Sequence, residues 1–145
     1  MRYSKKENNY ILRLFKGEEL ISSLLRFCTD TNTPSAYVSG IGSVESAVLG
    51  FYHLDKKEYR WKSFEYPMEI VSLTGNITQV ESKPFAHIHT VLSDPEFETF
   101  GGHMKSSIVG ATCEIFIFPM STLVRDFNEE TGLMLLSCEN EAQSC

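Results

Sequence analysis

Only one stretch of this chain repeats its apolar side chains at helical spacing. Leu20, Ile21, Leu24, Leu25 and Cys28 recur three and four residues apart, which predicts an amphipathic helix over residues 18–28. Gly17 precedes it, Glu18 and Glu19 suit the positive end of its dipole, and the run from Asp30 to Pro34 closes it. Everything else reads as strand. Residues 10–15 alternate sides, and segments 36–39, 45–53, 58–64, 68–74, 76–80, 85–92, 107–118, 123–127 and 133–136 are rich in β-branched and aromatic residues. Residues 128–132 form a hairpin turn between the last two. One helix followed by many short strands predicts a compact α+β domain. Its sheet should be antiparallel-rich and barrel-like, because closure hides strand edges.

A chain of 145 residues supports one domain, read here as residues 1–136, with 137–145 as a loose acidic tail. Its net charge of -6 opposes unaided binding to phosphate backbones. The charge is uneven: residues 1–30 carry six bases against four acids, and residues 94–145 carry two bases against nine acids. Any DNA binding is therefore expected to be weak and confined to the basic N-terminal residues. No apolar run approaches the roughly 20 residues that cross a bilayer, and no signal-type hydrophobic region follows the N-terminus. These features predict a cytoplasmic protein without membrane contact. The four cysteines form no CxxC pair, and Cys28 and Cys113 fall in apolar patterns, so free buried thiols are expected.

Chemistry concentrates between Pro84 and Met104, where three of the four histidines lie. In a strand His87 and His89 project to the same side. The Gly101 and Gly102 pair permits a tight turn that would bring His103 back across that face. Three imidazoles with a fourth position open is the arrangement of catalytic zinc sites, and nickel, copper or iron also accept such ligands. The alternative is three ordinary surface or hydrogen-bonded histidines. His53 has no spacing that ties it to the group.

A carboxylate should orient at least one ring, and Glu69, Glu114 and Asp94 are the candidates. Glu69 lies in the apolar stretch 67–73. Turned inward it would act as fourth ligand, as general base or as partner of a basic residue, which makes it the candidate catalytic residue. Turned outward it is an exposed charge. Arg125 either pairs with Asp126 at the surface or contacts an anion. No GxSxG motif or Cys–His pair supports a nucleophilic hydrolase.

The GIGSV run at 40–44, AVLGFY at 47–52, EIVSLTGNI at 69–77, HIH at 87–89 and GGH at 101–103 together resemble the plants and prokaryotes conserved (PPC) domain. The resemblance covers residues 10–136. In plant members the domain follows AT-hook motifs, which this chain lacks; prokaryotic members standing alone are labelled predicted DNA-binding proteins. The resemblance implies an α+β fold, an antiparallel-rich sheet and a homotrimer. It also implies a structural relation to acetolactate decarboxylase, a zinc enzyme whose HxH pair and later histidine correspond here to His87, His89 and His103. Two functions follow. One is a trimeric regulatory module associated with DNA or a transcription partner. The other is a metal-dependent enzyme, lyase or hydrolase-like, acting on a small oxygen-rich ligand.

Overall fold

The computed structural model describes residues 1–138. The expected acidic tail lies outside the described residues beyond Cys138. The elements run β1 (Arg2–Lys6), β2 (Asn9–Phe15), α1 (Leu20–Thr31), β3 (Ser35–His53), β4 (Glu58–Phe64), β5 (Met68–Val80), β6 (Lys83–Ser93), β7 (Thr99–Met120), β8 (Arg125–Asn128) and β9 (Leu133–Leu136).

The helix starts two residues later than its apolar spacing suggested, because Glu19 is its cap. The carboxylate accepts from the amides of Ile21 at 3.2 Å and Ser22 at 2.6 Å. Asn32 ends it in the left-handed conformation, its N–H returning to the carbonyls of Cys28 and Thr29. Leu20, Leu24, Phe27 and Cys28 form the buried stripe. Phe27 meets the rings of Tyr3 and Tyr10 edge-on, each at 5.1 Å.

Seven strands form one antiparallel sheet in the order β1-β2-β7-β6-β5-β3-β4, with β7 also pairing β3. That extra pairing closes the sheet partly: β3, β5, β6 and β7 each pair two neighbours of the same ring. The closure stops short of a barrel, since β1 and β4 remain edges. Two long strands do this. β3 absorbs both segments expected around Gly40 and Gly42, and its register with β5 shifts between those glycines. β7 begins at Thr99, eight residues before the expected start, so Gly101 and Gly102 lie in a strand and not in a turn. Neither has the positive φ that a tight turn would need.

Leu12, Leu14, Val38, Leu73, Ile77, Ile88, Leu92, Ile115 and Ile117 pack under α1 as one core. Cys28 and Cys113 are buried free thiols, and burial pushes them up to about 11 and about 12, so both stay protonated. Among the described residues no helix is long and apolar enough to cross a membrane. The opposite face of the sheet, away from α1, carries the histidines.

Candidate metal centre

Alternation along β6 buries Ile88, Thr90 and Leu92 and turns His87 and His89 to the outer face. Cross-strand pairing supplies the third ring. His103 of β7 lies directly opposite His89, and it is this register that brings it in. Glycine still matters, for a different reason from the one expected. A Cβ on Gly102 would stand 2.8 Å from the Gly50 carbonyl oxygen, so a larger residue would force β7 away from β3.

The ring centroids of His87, His89 and His103 are 5.1, 5.3 and 5.6 Å apart, and one nitrogen from each ring falls within 4.8 Å of the others. The Nε2 atoms of His87 and His89 are 3.3 Å apart. Two nitrogens at about 2.05 Å from a tetrahedral ion are separated by about 3.3 Å, so this pair already has the spacing of two metal ligands. His103 Nδ1 is buried without a hydrogen-bond partner among the described residues, a deficit that a ligand in the site would remove. The donor set can hold a metal ion.

The acids expected to orient these rings stand elsewhere. Glu69 pairs with Ser93 while Thr74 pairs with His89. Five residues of β5, about 16 Å, therefore separate Glu69 from the cluster. Its side chain is exposed because Met68 and Ile70 take the inward positions. Asp94 instead holds its own turn, accepting from the amides of Glu96 and Glu98. Glu114 is exposed opposite Arg13 on β2.

The neighbour the histidines do have is a cation. Arg125 is only 7% exposed and makes no pair with Asp126. Its guanidinium donates to Thr78 Oγ1 at 2.9 Å, the Met134 carbonyl at 2.9 Å and Asn76 Oδ1 at 2.8 Å. Its Nη2 also lies 3.2 Å from His87 Nδ1. Guanidinium has no acceptor, so Nδ1 accepts and the neutral ring carries its proton on Nε2. An ion taken at that nitrogen replaces the proton. Strand parity gave no signal for this: Phe127, on the same side of β8 as Arg125, is exposed.

A cavity of about 420 Å³ opens over the rings, with Tyr52, Tyr59 and Leu133 in its walls. The Tyr59 ring lies 5.2 Å from His103 and stacks on Trp61 at 4.5 Å. The Tyr52 hydroxyl donates to the Thr131 carbonyl at 2.6 Å, tying the β8–β9 hairpin across the cavity mouth. None of these aromatics had a sequence signal beyond strand composition.

Burial, Arg125 and the two neighbouring rings, in that order for the largest two causes, push His87 down to about 4. His103 is lowered by burial and by His89. The unfolded chain thus binds more protons than the folded one between about pH 6.5 and 4, and stability falls as pH falls through that window. The metal-free protein is expected to lose thermal midpoint steadily from pH 7 to 4, and His87→Gln to flatten that decline. An unchanged slope in the variant would remove His87 as its source.

The Plants and Prokaryotes Conserved (PCC) domain, also abbreviated PPC, matches residues 1–121. Among solved structures, a candidate DNA-binding protein from Bacteroides thetaiotaomicron superposes with a TM-score of 0.91 and 28% identity, covering 94% of this chain and 96% of that one. The metal-containing protein AF0104 from Archaeoglobus fulgidus gives 0.84 and 40% identity, covering 94% and 95%. The bifunctional protein GlmU of a Synechococcus strain is 28% identical over 141 residues, 93% of this chain, and the chain spans 21% of that protein's length. A Staphylococcus aureus protein described as similar to alpha-acetolactate decarboxylase gives a TM-score of 0.57 at 14% identity, covering 84% of this chain and 54% of that one. That likeness is one of fold alone, so the expected relation between the two metal sites has no further support.

Proposed function

The chain belongs to the Plants and Prokaryotes Conserved domain family, and on that premise we propose that it is a homotrimeric regulatory protein whose three-histidine centre holds a divalent ion, zinc by preference. The observation that carries this reading is the convergence of His87, His89 and His103 to nitrogen separations a single ion can bridge. Neutral imidazoles favour zinc and its neighbours over calcium or magnesium. The metal-containing relative at 40% identity supports the same reading. Elemental analysis tests it. About one ion per chain is expected in protein grown with zinc, and a metal-free product would overturn it.

Trimerisation is supported by what the outer face leaves bare. Tyr37, Ile41, Phe116 and Phe118 are exposed on adjacent strands of that face. Tyr37 and Phe118 stand opposite each other in register, their rings 5.8 Å apart. Apolar side chains on both faces of β7 call for cover on both faces, and a second copy of the chain supplies it. Light scattering is expected to give three times the 16.5 kDa chain mass. A monomer at micromolar concentration would remove the claim.

Weak association with DNA or a transcription partner is supported by the DNA-binding description of the Bacteroides relative. The exposed bases Arg2, Lys5, Lys6 and Arg13 of β1 and β2 are its N-terminal anchor. A second reading, a lyase- or hydrolase-like metal enzyme, is favoured by one feature. The cavity of about 420 Å³ over the rings leaves room for a small oxygen-rich ligand on the ion. Glu69 supplies no general base to this reading within one chain, since about 16 Å of β5 separates it from the rings.

A further inference from the structure

A second cavity, of about 600 Å³, opens at the β4 edge of the sheet, and its walls differ in chemistry from those of the metal centre. Phe51, Arg60, Trp61, Lys62, Phe64 and Phe100 line it, and none of the described lining residues is acidic. Lys62 Nζ rests 4.7 Å from the Phe64 ring and 4.5 Å from the Phe100 ring. Lys105 Nζ sits 4.7 Å over Trp61. Phe51 is 67% exposed, with its ring against His53. Gly50 makes this arrangement possible. A Cβ there would meet the Trp61 ring at 2.5 Å, so the indole packs directly against the β3 backbone.

An acidic chain of net charge -6 has therefore placed two cations, Arg60 and Lys62, in one aromatic-walled recess, with Lys105 outside its lining. Two of those walls are open to solvent. A ligand that uses all of this carries a negative charge and a flat ring. We propose that the cavity binds a nucleotide unit, with phosphate on Arg60 and Lys62 and the base stacked on Phe51. Base stacking on exposed aromatics combined with basic side chains is how single strands are held without sequence preference. The overall negative charge does not forbid it, because beyond about 8 Å of ionic screening the distant acids lose their reach. The proposal rests on the nucleic-acid side of the family reading and is independent of the metal.

The test uses a labelled oligodeoxythymidylate, followed by fluorescence anisotropy between 50 and 200 mM salt, with free thymidine monophosphate as competitor. Two cations predict a log–log salt slope of about -1.4. Lys62→Ala should weaken binding about tenfold and reduce the slope by about 0.7, while its metal content stays that of the parent. Phe51→Ala should weaken binding about fivefold or more with the slope unchanged, since stacking releases no counterions. Phe51 is too exposed for its loss to threaten the fold. Competition by the free monophosphate identifies a mononucleotide as sufficient ligand; its failure to compete, with both substitutions still effective, identifies the strand. No binding of either probe at 50 mM salt overturns the proposal. So does strand binding that both substitutions leave unchanged. Duplex binding alone, insensitive to both, upholds DNA association and places it away from this cavity.

Discussion

Replacing His89 by Ala is expected to strip most of the bound metal from protein grown with zinc, and replacing His53 by Ala to leave the metal content unchanged. His89 occupies the middle of the site. Its Nε2 is 3.3 Å from that of His87, and its backbone pairs with that of His103. Without it, two imidazoles remain on an ion that prefers four ligands. Loss of an outer hydrogen bond to a ligand already costs about 10- to 100-fold in affinity, so loss of the ligand itself should cost about 100-fold or more. His53 ends β3 with its ring 5.0 Å from Phe51, apart from the three-ring group. The substitution removes a side chain from an exposed position of β6 and leaves the core side of that strand, Ile88 and Leu92, untouched. A folding failure is therefore not the expected route of metal loss, and circular dichroism of the variant separates the two. Equal metal content in both variants would return the three rings to ordinary surface histidines.

Part of this site was legible in the sequence because strand geometry has a period of two. That rule alone places His87 and His89 together. The third ring was expected on the same face by a glycine turn, and it arrives there by pairing between β6 and β7. The glycines misled because their service here is close backbone approach, which sequence does not distinguish from a turn. Glu69 was ambiguous for a related reason. A strand whose every second residue is apolar fixes the other residues outward, but the apolar run 67–73 contains a register shift between Ile70 and Ser72. Parity could not be counted through it. β1 had no pattern at all, since all five of its residues are exposed and it exists by pairing with β2. Arg125 shows the complementary limit. The sequence offered it only as a surface pair or an anion contact, because its partners Asn76, Thr78 and His87 come from β5 and β6, about 40 to 50 residues away in sequence. Only the tertiary fold joins them.

Gly75→Ala is expected to cost more than any other single methyl added near the site. Gly75 lies in β5 opposite Ile88, between the two positions, Thr74 and Asn76, that pair with His89 and His87. A Cβ at Gly75 would stand 2.1 Å from the His87 carbonyl oxygen and 2.9 Å from the Ile88 Cα. Both obstacles are backbone, so no rotamer change relieves them. The strands must part, and the movement falls on the residues that carry the histidines. Overpacking of this kind costs about 1–3 kcal/mol, and the upper end is expected because the clash is with main chain. For a domain of this size that lowers the thermal midpoint by about 10 °C. The same displacement moves His87 and His89 relative to His103 on β7, so metal affinity should drop in parallel. Gly101 provides the control: a Cβ there meets nothing closer than 3.5 Å, and Gly101→Ala should leave both quantities nearly unchanged. Because β6 links β5 to β7, a variant that lowers the midpoint without touching metal affinity would show that the ion repositions the strands it binds. Strain at Gly75 reaches the histidines only if β5 and β6 move as one ladder, and the paired measurement of midpoint and metal content reports that coupling directly.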